Sequence, residues 1–399
     1  MVVSTYVFFK GLRKVMDFSL SEEHRMIRDM TRDFSREVIA PRAEDMERTG
    51  EYPYDIIKKM AELGMMGIPF PEEYGGSGGD WVGMHLCIEE ISRGDVTLGI
   101  LLEVTTNVVG QEIYAFGSEA QKKKWLVPIA QGNQIGAFGL TEPDAGSDAA
   151  SLRTKAVLKD GEWILNGTKQ FITNIGLDNA SILLVAALIE TKRGGKPNIA
   201  TFIVPKDAPG FTLSKRYDKI SWKASATHEV VLNDCRIPED NLLGDPCRGF
   251  AQHLAVLETG RISVATVSVG LAQACLDEAL RYTRQRTQFG HPIFNFQAIQ
   301  FKLADMAVAI ELARNQYLKA AWLKDCGFNH TFEAAVAKLW ASEMVEKVAS
   351  DAFQMHGGYG CMSEYPVSRY YNNAKLLQIV EGTSEVQRII IGRILAKGL

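Results

Sequence analysis

The hydrophobic pattern of this 399-residue chain changes period twice, and that double switch restricts the fold more than any single motif. From about residue 19 to 130, apolar residues recur at helical spacing. Ser19 or Ser21 is placed to cap a helix over EEHRMIRDMTRDFSREVIAP, with Pro41 near its end. Further helices are expected over 53–64, 80–93 and 97–116, with EEYGGSGGD as a glycine-rich loop between them. From about 135 to 245, short β-prone runs alternate with turn clusters. Asp160-Gly161 and Asn166-Gly167 both carry the dipeptide signature of tight hairpins, and SILLVAAL, NIATFIVP and HEVVLNDCRIP extend the meander. From about 248 the helical period returns in three long runs and a closing segment, the pattern of a bundle. The expected architecture is α+β: an N-terminal extension (1–16, with Met16 as an alternative start), an N-terminal α-helical domain (17–134), a middle antiparallel β-domain (135–247) and a C-terminal four-helix bundle (248–399).

Composition removes several function classes. A net charge of −4 and a pI near 6.0 argue against a nucleic-acid binder, which needs a basic excess. Lys122-Lys123-Lys124 reads as a solvated helix face. The six cysteines form no CxxC pair and no zinc-finger spacing with histidine; they read as reduced residues of a cytoplasmic protein, and no metal site is expected. Apolar stretches such as SILLVAAL are too short to span a bilayer, and the N-terminus resembles neither a secretory signal nor a transit peptide. No GxGxxG follows a strand, and GxxxxGK[ST], HExxH and GxSxG are absent.

What remains are five stretches that look like ordinary loop and helix ends when taken singly. LTEPDAGSD (140–148) is a turn-rich loop whose backbone can approach a polar ligand. QFITN (170–174) sets an aromatic beside a hydroxyl at a strand end. RTQFG (286–290) ends the first long helix with a cation and a stop glycine, and QMHGGYG (354–360) ends another. VEGTSEVQR (380–388) places Glu381 between an apolar run and a new helix, for which Ser384-x-x-Gln387 offers a capping box. The apolar face of that helix should comprise Val386, Ile389, Ile390 and Ile394, with Ile379 and Val380 as an apolar wall beside the carboxylate.

Together these stretches closely resemble the acyl-CoA dehydrogenase family, from about residue 17 to 397, with LTEPDAGSD and VEGTSEVQR the most specific. The resemblance implies FAD bound between the β-domain and the C-terminal bundle. Phe138, Leu140, Thr141, Gly146 and Ser147 would line the flavin and the thioester. Phe171 stands where many relatives have Trp and would pack on the flavin ring, with Thr173 near its N5. Arg286, Phe289, Gln297, Gln354 and Gly358 would hold the adenosine diphosphate part across a subunit interface, which implies a homotetramer. Thr383 and Glu385 match further cofactor positions. Arg261 and Glu258 match residues near coenzyme A; their alternative reading is a surface i,i+3 ion pair.

By the same resemblance Glu381 is the catalytic base. The alternative base position of some relatives, directly before the arginine on the first C-terminal helix, is here Gly260, which cannot act. The implied reaction is α,β-dehydrogenation of an acyl-CoA to the trans-2-enoyl-CoA, with electrons passed to an electron-transfer flavoprotein. Ser147, Glu258, Arg261, Val380 and Gly382 would contact the substrate. Val380 replaces a common Tyr and should widen the acyl cavity, favouring short or branched-short chains. Glu103, amid aliphatics, is either a solvated residue or an inward acid that disfavours substrates ending in a carboxylate. Rival readings are an acyl-CoA oxidase, a DNA-binding flavoprotein of the same fold, and a relative acting on a nitroalkane.

Overall fold

The computed structural model describes residues 19–190 and 198–398; the N-terminal extension and Met16 lie outside the described residues. The first block contains α1 (Glu22–Phe34), α2 (Ala43–Thr49), α3 (Tyr54–Glu62), α4 (Trp81–Gly94), α5 (Val96–Leu102), α6 (Gln111–Phe116), α7 (Glu119–Gln121) and α8 (Val127–Ala130). Ser21 caps α1 by accepting from His24 N at 3.1 Å, and Asp80 caps α4 by accepting from Gly83 N at 2.8 Å. The helical run expected over 97–116 is continuous, but its middle, Glu103–Gly110, has π-helical geometry. Such wide turns re-aim side chains and often mark functional positions.

The middle block has β1 (Ile135–Gly139), β2 (Lys155–Lys159), β3 (Glu162–Thr173), β4 (Ala180–Ile189), β5 (Asn198–Pro205), β6 (Phe211–Leu213), β7 (Thr227–Pro238) and β8 (Leu242–Leu243). They form one sheet in the order β6-β7-β3-β2-β4-β5-β8, with β1 also on β4. The sheet is not purely antiparallel. β1 and β2 both pair with β4 in parallel, because they reach it through long connections rather than hairpins. Asp160 (φ 54°) and Gly161 (φ 79°) make the expected two-residue turn between β2 and β3.

Asn166-Gly167 does not make a turn. It lies inside β3, where the register against β7 shifts as at a bulge. A Cβ at Gly167 would stand 2.7 Å from both Cα and Cβ of Thr154, so the glycine serves a close approach between chain segments. Gly167→Ala is therefore expected to destabilise the fold by about 1–3 kcal/mol, read from a denaturant titration. An unchanged midpoint would show that Thr154 can retreat.

The third block begins with α9 (Gly249–Gln285), 37 residues long. Its most apolar window has a mean hydropathy of 1.4, enough by length and composition to cross a membrane, yet 78% of that window is buried in the protein. It is the core helix, packed by α4 and by α10 (Gln297–Asp325), α11 (Thr331–His356) and α12 (Pro366–Leu377). RTQFG is not a glycine-stopped helix end. After Gln285, β9 (Thr287–Gln288) pairs with β10 (His291–Pro292), and Phe289 (φ 52°) with Gly290 (φ 84°) forms the turn. The closing segment is two helices, α12 and α13 (Ser384–Lys397), with a break that contains Glu381. Phe70, Val109, Ile113 and Ile129 pack with Ile182, Leu184 and Ile203, which fixes the sheet against the first block.

Candidate active site

Between α12 and α13 the chain turns through two consecutive left-handed residues, Glu381 (φ 55°) and Gly382 (φ 92°). The glycine tolerates this; for a glutamate it is a strained conformation, and such strain persists only where surrounding bonds impose it. Here Gln387 Nε2 donates to Gly382 O at 2.9 Å and to Glu381 O at 3.4 Å. The expected capping box is thus corrected. Thr383 caps α13, accepting from Val386 N at 3.4 Å, while Ser384 is its buried first residue and Gln387 serves the turn's carbonyls.

The turn drives the Glu381 carboxylate against α9 at Gly260. A Cβ on Gly260 would overlap Glu381 Oε2 and lie 3.3 Å from Glu103 Oε1. Both oxygens are buried and have no hydrogen-bond partner among the described residues. Glu103 is 1% exposed, so its solvated reading is wrong: the π-helical segment directs it into the interior. Burial raises the Glu381 pKa, opposed by the neighbouring Glu103 carboxyl and by the charges of Arg261 and Lys338. Burial, then the charge of Glu381, pushes Glu103 well above the ordinary carboxylate range. Lys338 is fully buried and donates to Gln378 O at 3.1 Å; burial lowers it to about 8.

Arg261 is 6% exposed, with its Nε buried and unpartnered. It makes no ion pair with Glu258 among the described residues, which corrects the surface-pair reading. Glu258 instead accepts from Thr331 Oγ1 at 2.9 Å and faces His330 Nε2 at 4.0 Å. Val380 packs on the core, but Ile379 is 58% exposed and forms no wall. Ile389, expected on a buried face of α13, is half exposed.

A second group lies in the β-domain. Phe138 on β1 meets His253 edge-on at 4.9 Å, and Leu140 is buried. Thr141 is half-buried, and its carbonyl accepts from Gln170 N at 2.9 Å. Gly146 and Ser147 are exposed, and nothing lies within 4 Å of a Cβ built on Gly146. Glu142 pins this loop. It accepts from Arg153 N at 2.6 Å, Thr154 N at 3.0 Å and Lys169 Nζ at 2.8 Å. Phe171 (φ 60°) projects its ring with 61% exposure, 5.6 Å from Tyr217, and Thr173 pairs with Thr227 of β7. An exposed aromatic face beside unobstructed glycine backbone can accept a flat ring system.

A third group lines a cleft of 540 Å³ at the end of α9 and α11, built from Tyr282, Arg286, Gln288, Ile293, Met355, His356, Gly357, Gly358, Tyr359 and Met362. Arg286 stands 5.5 Å from the Tyr359 ring centre and makes no ion pair among the described residues. Gly358 has open space around it. An unpaired guanidinium beside open glycine backbone can hold a diphosphate. Phe289 (89% exposed), Gln297 and Gln354 are exposed and do not line this cleft, and Glu385 is exposed on α13. Within one chain the cleft contains no residue of the β-domain. Sequence reasoning missed Lys338, Glu142, Lys169 and Tyr217. For Lys338 the one available signal was a lone cation in the small-residue run AAVAKLWAS.

Three family models cover the chain: the acyl-CoA dehydrogenase N-terminal domain over 21–133, the middle domain over 137–235 and the C-terminal domain over 247–396. A probable acyl-CoA dehydrogenase of Bacillus subtilis, YngJ, is 50% identical over 382 residues, covering 96% of this chain and 100% of that protein. The chain belongs to the acyl-CoA dehydrogenase family. Members of this family are FAD-dependent oxidoreductases acting on CH–CH groups. Among solved acyl-CoA dehydrogenases, butyryl-CoA dehydrogenase from Megasphaera elsdenii superposes with a TM-score of 0.92 at 41% identity, covering 96% of this chain and 100% of that one. A chain in the structure of the electron transferring flavoprotein of Acidaminococcus fermentans gives a TM-score of 0.92 at 44% identity, covering 95% of this chain and 99% of that one.

Proposed function

We propose that this acyl-CoA dehydrogenase converts a short or branched-short acyl-CoA to the trans-2-enoyl-CoA, with Glu381 as the base. The observation that carries this reading is a buried, unsatisfied Glu381 oxygen held on a strained turn opposite a glycine gap in α9. Glu381 removes the proton next to the thioester carbonyl. The Glu381 backbone N–H is the donor this chain offers to the developing enolate oxygen. Arrival of an apolar acyl chain expels water from the slot, which strengthens Glu381 as a base. Bound FAD supplies the hydride acceptor for the β-carbon.

The residues present fit FAD. Arg286 and Gly358 take the diphosphate, and Phe289, Gln297 and Gln354, exposed outside that cleft, meet the adenosine diphosphate part across a subunit interface. Thr141, Gly146, Ser147, Phe171 and Thr173, backed by Phe138 and Leu140, take the flavin ring, and Thr383 and Glu385 add contacts from α13. Arg261 and Glu258 receive coenzyme A, and Val380 with Gly382 bounds the acyl slot. The diphosphate cleft holds no β-domain residue, which supports a site shared between two subunits. A homotetramer is further supported by exposed apolar side chains on α10 and α13: Phe301 (63%), Val308 (60%), Leu312 (57%) and Leu395 (54%). Electrons pass to an electron-transfer flavoprotein, a partner suggested by the Acidaminococcus neighbour. The short-chain assignment is supported by the butyryl-CoA dehydrogenase neighbour. We place the enzyme in the cytoplasm, in keeping with free cysteines at 87, 235, 247, 275 and 361.

The test is anaerobic titration of the purified holoenzyme with straight and branched acyl-CoA esters, following flavin absorbance. Butyryl-CoA or a branched four- or five-carbon ester is expected to bleach the flavin at stoichiometric amounts. Bleaching by long-chain esters alone would overturn the substrate class, and bleaching by none would overturn the reaction.

A further inference from the structure

We propose that Glu103 is a positioning residue for Glu381: its carboxyl keeps its proton and donates a hydrogen bond to the Glu381 carboxylate, so the two act as a one-proton pair in the slot opened by Gly260. This rests on the reading of Glu381 as the base.

The geometry carries it. Glu103 Oε1 and Glu381 Oε2 converge on the single missing Cβ of Gly260, and both are buried. Two carboxylates that close, away from water, cannot both ionise; one proton shared between them turns repulsion into a charge-assisted hydrogen bond. Which residue keeps the proton follows from the surroundings. Arg261 from α9 and Lys338 from α11 both act on Glu381 and favour its anion. Glu258, also on α9, acts on Arg261. Glu103 sits on the π-helical segment with no ion pair among the described residues, and its one charged influence is Glu381 itself. Glu103 is thus the acid and Glu381 the base. The hydrogen bond favours ionised Glu381, so a base in a dry slot remains usable near neutral pH, and it fixes which oxygen is free for substrate.

The holoenzyme, Glu103→Leu and Glu103→Gln are compared by anaerobic stopped-flow reduction with butyryl-CoA across pH 5.5 to 9. Glu103→Leu removes the donor, so the Glu381 pKa rises and the acid limb moves to higher pH. Its reduction at pH 6.5 is expected to fall about tenfold for each unit of that movement and to recover at alkaline pH. Glu103→Gln keeps a neutral donor and should retain the wild-type acid limb. Lys338, held at about 8, titrates in all three proteins, so the acid side is the discriminating window.

A second readout needs no turnover. A buried carboxyl whose pKa is raised on folding stabilises the fold fully below its unfolded value, and that stabilisation is lost as pH rises through the folded one. The wild-type thermal midpoint should therefore drop more than that of Glu103→Gln as pH rises above the ordinary carboxylate range. Superimposable acid limbs for wild type and Glu103→Leu, or a Glu103→Gln that behaves like Glu103→Leu, overturn the proposal. If Glu381→Gln reduces normally, the base reading fails instead, and the thermal comparison still judges the pair.

Discussion

Glu381→Gln is expected to give a folded, yellow protein that binds acyl-CoA and reduces its flavin roughly 10²–10⁴-fold more slowly than wild type. Glutamine has the same length and shape, and the bonds that hold the turn run from Gln387 to backbone carbonyls of Glu381 and Gly382. The left-handed conformation should therefore survive the substitution. What is lost is the ability of the carboxylate to accept a proton from the substrate. Stability should not fall, because the change removes a carboxylate that burial disfavours. Stopped-flow absorbance gives the rate, and calorimetric titration with butyryl-CoA separates binding from chemistry. Reduction at the wild-type rate would remove Glu381 from the mechanism. Loss of binding with normal single-turnover reduction at saturation would make it a binding residue.

How far the chain could be read without coordinates depended on the range of the interaction involved. Local rules narrowed the α1 cap to Ser19 or Ser21 and found the Asp160-Gly161 turn and the α–β–α order, because each depends on neighbours in sequence. The same local rule failed at Asn166-Gly167. There the glycine answers to Thr154, twelve or more residues away, and pairing with β7 carries the strand straight through. The capping residue of α13 was misread by one position because Thr383 and Ser384 both carry hydroxyls. Only the fold decides that Ser384 is buried and that Gln387 faces the turn. Glu103 illustrates the limit for the site. In sequence it is an acid among aliphatics, which is ordinarily a solvated residue. Its burial comes from the π-helical turn and from a glycine on a helix more than 150 residues later, and neither leaves a periodic trace. Lys338 is similar: its role beside Glu381 exists because α11 packs along α9 and the α12–α13 turn.

Lys169→Met is expected to cost about 3–5 kcal/mol of stability and to release FAD, the largest effect anticipated for a residue remote from Glu381. Lys169 is fully buried and Glu142 is 6% exposed. Burial lowers Lys169 to about 8 even though the Glu142 carboxylate raises it. Removing the cation leaves Glu142 as an uncompensated buried charge, while its remaining donors, Arg153 N, Thr154 N and Thr154 Oγ1, are those that shape the loop after β1. Lys169 Nζ also donates to Leu140 O at 3.2 Å, so the loop loses a second anchor. The proposed flavin contacts Thr141, Gly146 and Ser147 all ride on this loop, so cofactor retention should fall with stability. Adding Glu142→Gln to Lys169→Met removes the stranded charge and should recover part of the lost stability, a coupling that a double-mutant cycle reads directly. The measurements are the denaturation midpoint and the flavin retained after desalting. If Lys169→Met keeps both, the backbone bonds to Glu142 alone hold the loop, and the ion pair has no share in building the cofactor site.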